Sequence, residues 1–221
     1  MTDALFHYPH QARVGRVVPK NKIYEHGPVT AAVRERFVKQ LEQITWQYKL
    51  APETINLPAK PGVPEIQIFD MALKTDELDE RVLHAVDRAI PLPIVFQLHH
   101  GARIRMVAAH KRPSETGAGP WVIGSYFWGG WHADGTERVP LPIALDLASL
   151  YEQLLRSLLP HPPRPGEGLT EQLERLTQLR RLQSECLKLT ARMHQEQQFN
   201  RKVETNAQLR ALQADIDQLS A

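Results

Sequence analysis

Ile94-Val95-Phe96-Gln97-Leu98-His99-His100-Gly101-Ala102-Arg103-Ile104-Arg105-Met106-Val107-Ala108-Ala109 is the stretch that decides the fold. Two runs rich in β-branched and apolar residues flank a short segment whose glycine suits a tight reversal, so the stretch reads as a β-hairpin. Pro91 and Pro93 ahead of it hold the chain extended. Residues 121–128 (WVIGSYFW) follow a Pro/Gly-containing loop and supply a third strand of aromatic and β-branched residues.

Working outward, residues 65–73 (EIQIFDMAL) predict another strand, with a bulge near Asp70. Between it and the hairpin, Asp76 is expected to cap a helix with Leu78, Val82, Ala85, Val86 and Ala89 along one side. Upstream, a helix is expected from Gly27-Pro28 to about residue 50, because Val33, Phe37, Leu41, Ile44 and Tyr48 recur at steps of three and four. Downstream, Asp146 opens a helix with Leu147, Leu150, Tyr151, Leu154 and Leu158 on one face, and Pro160 ends it. This order predicts an α+β domain over residues 1–160, a mixed and largely antiparallel sheet covered by helices.

Residues 161–168 (HPPRPGEG) suit neither helix nor sheet interior and read as a linker. From 169 to 221 there is neither proline nor glycine, and good helix formers dominate. Leu169, Leu173, Leu176, Leu182, Cys186, Leu189 and Met193 make an apolar stripe, resumed after a phase slip by Leu209, Leu212, Ile216 and Leu219. The tail is therefore expected to be a coiled-coil-like helix or a helical hairpin. The lack of a breaker favours one continuous helix, which at fifty residues would reach roughly 75 Å. So long an apolar stripe needs a covering surface, which points to a partner or to self-association, weighed against the tail packing back on its own domain as further helices.

Composition bounds the function. With 27 Lys+Arg against 25 Asp+Glu the formal net charge is +2, which lacks the extended basic field of an autonomous nucleic-acid binder. A single cysteine excludes an intrachain disulfide and a cysteine zinc cluster, and fits a cytoplasmic protein. No apolar run approaches the roughly 18 residues of a membrane span, and the first residues do not read as a secretion signal.

Candidate chemistry is sparse. The ten histidines, including His7, His10, His99, His100, His110 and His132, show no HExxH spacing and read as turn or surface residues. Glu65, Asp70 and Lys74 are the candidates for a metal-dependent nuclease of degenerate motif, although the usual Glu-x-Lys spacing is missing. Cys186 falls inside the helical stripe and reads as packing. Arg13, Arg16, Lys20 and Lys22 are candidate nucleic-acid contacts, weighed against a solvated edge, and the rings of Trp121, Tyr126, Phe127, Trp128 and Trp131 read as half core and half surface. No cofactor and no catalytic set are implied.

Several motifs together carry a resemblance. Phe6-x-Tyr8-Pro9, Val18-Pro19-Lys20-Asn21-Lys22-Ile23-Tyr24, residues 45–57 (TWQYKLAPETINL) and residues 199–206 (FNRKVETN) resemble the bacterial family called domain of unknown function 4391. The resemblance spans nearly the whole chain and implies no activity. It does imply companionship with helicases and DNA methyltransferases in defence or restriction-modification clusters. The expected function is accordingly a non-catalytic accessory subunit that docks on a helicase/ATPase or methyltransferase, with a nuclease and a homodimeric coiled-coil scaffold as alternatives. The expected contact residues are Leu182, Leu189, Met193, Phe199, Asn200, Arg201, Lys202, Val203 and Asn206.

Overall fold

The computed structural model describes residues 4–27, 29–114 and 121–220. Along the chain run β1 (Phe6–His7), β2 (Arg13–Val17), α1 (Lys20–His26), α2 (Ala31–Gln40), β3 (Leu41–Leu50), α3 (Pro52–Ile55), β4 (Ile66–Leu73) and α4 (Glu80–Ala89). They are followed by β5 (Ile94–His100), β6 (Arg103–Arg112), β7 (Val122–Trp128), β8 (His132–Ala133), β9 (Val139–Pro140), α5 (Leu147–Arg156), α6 (Leu169–Gln195) and α7 (Phe199–Ser220). The chain forms two compact units, Met1–Pro160 and His161–Ala221.

The first unit is α+β with a mixed, mostly antiparallel sheet. β5 and β6 pair antiparallel from Val95↔Ala108 to His100↔Arg103. Gly101 turns the hairpin at φ 57°, a left-handed conformation that a Cβ resists. β7 adds antiparallel to β6, and the sheet order is β2-β3-β4-β5-β6-β7, with β8 also on β6. β4 and β5 are parallel, joined by the α4 crossover. Strand alternation turns Phe69, Met71, Phe96, Leu98 and Val107 toward a core completed by Phe37 of α2 and Val82, Leu83 and Val86 of α4. Ile68, Val95 and Ala108 form a buried row on the other face. α5 starts where Asp146 accepts from the Ser149 amide at 2.8 Å, and its Tyr151 hydroxyl donates to the Ala109 carbonyl of β6 at 2.7 Å.

The long helix expected to reach residue 50 is corrected. α2 opens at Thr30, whose hydroxyl accepts from the Val33 amide, and it stops at Gln40, after which Leu41–Leu50 is a strand between β2 and β4. The misleading three-four spacing has a physical source in register shifts. One lies between Leu41 and Gln43 and one between Trp46 and Tyr48. The first lets both Leu41 and Ile44 enter the helix-covered core, although an unbroken strand would send residues three apart to opposite faces. Pairing with two neighbours outweighs a local helical pattern in a segment rich in Ile, Thr, Trp and Tyr.

Two smaller expectations also shift. β4 runs in unbroken register with β5 from Gln67 to Ala72, so the irregularity lies on β3 rather than at Asp70. The cap of α4 is Asp79, not Asp76: its carboxylate accepts from the Arg81 amide at 3.0 Å and from the Arg81 side chain. These bonds, with Arg36 beside it, hold the Asp79 carboxyl down to about 2.

The second unit is not one rod. α6 ends at Gln195, Glu196 is extended, and α7 begins at Phe199. The Glu196 carboxylate accepts from the amides of Gln197 and Gln198 at 2.9 and 3.0 Å, offering the backbone a local alternative to the helical bond without proline or glycine. Within this unit α6 and α7 contact each other. Leu176, Leu179 and Leu182 are buried on α6, and Ile216 is buried on α7, with Leu209, Leu212 and Leu219 half-buried. Folding back covers apolar surface that a straight helix would leave open.

Arg175 clamps this unit. It donates to both oxygens of Glu167 at 2.6 and 2.8 Å, to the Pro162 carbonyl at 3.1 Å and to the Leu219 carbonyl at 3.0 Å. Arg164 takes the neighbouring Gln218 carbonyl at 2.5 Å, so two last-turn carbonyls of α7 that lack helical partners are satisfied by guanidinium groups. Hydrogen bonding to Arg175 holds the Glu167 carboxyl down to about 2. Among the described residues no helix is long and apolar enough to cross a membrane.

Candidate functional site

Glu65, Asp70 and Lys74 bracket one strand but do not converge. Glu65 pairs with Lys49 at 3.0 Å and accepts from Gln67. Lys74 donates to the Val38 carbonyl at 2.8 Å. Asp70 sits mid-strand and accepts from Gln97 at 2.7 Å. Among the described residues no group of three His, Cys, Asp or Glu side chains is placed to hold a metal ion.

Asp70 instead belongs to a polar patch on the sheet. Cross-strand pairing aligns Thr45, Asp70, Gln97 and Met106 on one face, and His99 follows Gln97 two residues on. Arg138 donates to the Gln97 Oε1 at 2.9 Å and to the Phe6 carbonyl, while His99 Nε2 lies 3.7 Å from Asp70. Tyr8 stacks on Tyr48 at 4.8 Å, and its buried hydroxyl has no hydrogen-bond partner among the described residues. Burial raises the Tyr8 pKa above its ordinary value, with Arg138 opposing. An orphan hydroxyl gives nothing back for its desolvation. Tyr8→Phe is therefore expected to leave stability unchanged or raise it by about 1 kcal/mol in urea unfolding; a clear loss would mean that the hydroxyl has a partner.

A second polar group lies in the interior and left no trace in the sequence pattern. Lys111, with a fully buried side chain, donates from Nζ to the Asp87 carbonyl at 2.5 Å, to the Asp87 carboxylate at 3.3 Å and to the Ile90 carbonyl. Its ammonium thus closes the C-terminal end of α4. Tyr126 donates to the other Asp87 oxygen at 2.5 Å, and the Lys111 amide donates to Tyr151. Burial pushes the Asp87 carboxyl up to about 6 against the pull of Lys111 and Tyr126, and burial lowers the Lys111 pKa. With every Nζ proton engaged, the arrangement is a structural tie.

The proposed nucleic-acid contacts separate. Lys20 donates to the carbonyls of Phe37 and Leu41, at 3.0 and 2.6 Å, and Lys22 pairs with Glu25 at 2.8 Å. Arg13 and Arg16 are exposed on the edge strand β2. Two tryptophans near the end of the sheet are covered by a cation, Arg105 lying 4.9 Å over Trp128 and 5.1 Å over Trp131, whereas Tyr126 and Phe127 are buried.

The tail residues divide along the two helices. Leu182 is buried, and Leu189 and Met193 are half-buried, within the stripe of α6. Cys186 is half-buried beside them. On the first two turns of α7, Asn200, Arg201, Lys202 and Asn206 are exposed, and Val203 is 53% exposed. The side chain of Phe199 lies outside the described residues.

Fold and site together define an α+β protein with a mixed sheet, a helical tail and no converged catalytic set among the described residues. The chain belongs to the family described as Domain of unknown function (DUF4391), whose model matches residues 6–216. It matches no curated protein and no solved structure.

Proposed function

We propose that this protein is a non-catalytic accessory subunit of a bacterial, cytoplasmic DNA-processing complex of the phage-defence or restriction-modification kind. It docks on a helicase/ATPase or DNA methyltransferase through the start of α7. The observation that carries this reading is the exposure of Asn200, Arg201, Lys202, Val203 and Asn206 on a helix whose own apolar residues, Leu209, Leu212 and Ile216, are half-buried or buried. A solvated helix gains nothing from an exposed β-branched residue beside a basic pair, whereas a docking face gains an apolar contact with charges at its rim. Leu182, Leu189 and Met193 take the supporting role, packing the helices that present this face.

The test is co-purification of the full chain with the helicase or methyltransferase encoded beside it. Val203→Asp combined with Arg201→Glu and Lys202→Glu is expected to weaken the complex at least tenfold, about 2 kcal/mol for a central contact. All three positions are exposed, so the circular dichroism spectrum should not change. Complex formation that survives both this variant and removal of residues 161–221 would refute the docking role. Dimerisation of the isolated chain, abolished by the same variant, would assign the face to a second copy.

A further inference from the structure

Gly27 and Val29, together with Val33 in the first turn of α2, line a cleft of about 140 Å³ against the outer face of α4. Its floor is aliphatic, made by Val29, Val33 and Ala85, and its rim carries Arg81, His84 and Arg88. The three rim residues recur at steps of three and four, so they stand in a row on one helix face, away from the core-facing Val82, Leu83 and Val86. Among the described residues no carboxylate lines the cleft.

The rim is held ready for an anion. Arg81 is fixed in plane by Asp79, which takes its Nε and one terminal nitrogen at 2.8 and 2.7 Å and leaves the other terminal nitrogen without a partner among the described residues. The side chains of Arg88 and His84 have no hydrogen bond or ion pair among the described residues. The groups acting on His84 are Arg88 on its own helix and Lys111 from β6, both cationic, and they add to burial in lowering its pKa.

We propose that this cleft binds a phosphate monoester carried on a small apolar body, with the terminal phosphate oxygens on Arg81, His84 and Arg88 and the body against Val29, Val33 and Ala85. A carboxylate has two oxygens and is satisfied by one guanidinium fork, whereas a phosphomonoester offers three to donors arriving separately along the helix. The volume suits one small ring, since a cavity of about 150 Å³ holds benzene. Free metabolites and the 5′ end of a nucleic acid share this chemistry.

The test follows the His84 ring signals by NMR in the full chain, assigned by their loss in His84→Gln, during titration with phenyl phosphate, inorganic phosphate and phenol. Phenyl phosphate should bind saturably and roughly tenfold tighter than either half alone, weaken roughly tenfold in Arg88→Gln, and raise the His84 pKa as the dianion offsets its cationic neighbours. Arg88 is exposed and unpaired, so the variant should fold normally. No saturable shift, equal affinity for phenyl and inorganic phosphate, or unchanged affinity in Arg88→Gln would each overturn the site. A short single strand bearing a 5′-phosphate distinguishes the sources. If it binds and its dephosphorylated form does not, the ligand is a nucleic-acid end. Phenyl phosphate binding without the strand points to a free metabolite, and equal binding of both strands would overturn monoester recognition.

Discussion

Lys111→Met is expected to cost about 3–5 kcal/mol of folding stability, because it leaves the Asp87 carboxylate buried without its cation and two carbonyls at the end of α4 without a donor. Methionine matches the length and the apolar stem, so lost packing contributes little. The loss should depend on pH with a definite sign. In the wild-type chain the Asp87 carboxyl is raised from 3.8 to about 6. Its contribution to stability is therefore fully present below 3.8 and is lost as the pH rises through about 6. Removing Lys111 raises this carboxyl further, so urea unfolding should show a larger deficit at alkaline than at mildly acidic pH. Asp87→Asn in the same background should recover part of the deficit, since the amide carbonyl still accepts from Tyr126. A deficit below about 1 kcal/mol, or one that ignores pH, would show that Lys111 and Asp87 are not coupled as the geometry has them.

Arg175→Met is expected to loosen the helical tail by a comparable amount, about 3–5 kcal/mol, because its side chain is 6% exposed and its partner Glu167 10% exposed. One residue holds three points of the chain: the elbow at Pro162 and Glu167, its own helix α6, and the last turn of α7 at Leu219. Amide exchange across residues 199–220 should accelerate on the order of a hundredfold or more. Lysine at this position should rescue only partly, since it lacks the planar fork that engages both Glu167 oxygens at once. Acid should imitate the substitution. The Glu167 carboxyl is lowered from 4.5 to about 2, so its contribution is present above 4.5 and fades as the pH falls toward 2. Unchanged exchange in α7 would mean that contact between the apolar stripes alone sets the pairing.

The candidate surfaces differ in how far they could be read from residue order. The exposed face at the start of α7 was legible because FNRKVETN breaks the apolar stripe with charge and amide, a local signal. The Lys111 tie was not, because a lysine inside a strand pattern reads as an outward-facing residue until Asp87, 24 positions earlier, is brought beneath it. Arg175 is hidden in the same way, since an arginine within a leucine stripe reads as solvated and one of its two carbonyl partners lies 44 positions later. The cleft rimmed by Arg81, His84 and Arg88 was not legible either, because it needed the packing of α2 over α4.

By itself the sequence determined the β5–β6 hairpin, the strand after it, the Asp146-capped helix and the helical character of the tail. Strand alternation, a glycine at the reversal and a capping carboxylate act within a few residues of one another. Only the tertiary structure decided that residues 41–50 are a strand and that the tail folds back after Gln195. In both segments the local preferences are nearly balanced, and the choice falls to contacts between residues far apart in the chain: ladders to β2 and β4 in the first, and the end of α7 meeting Arg175 in the second.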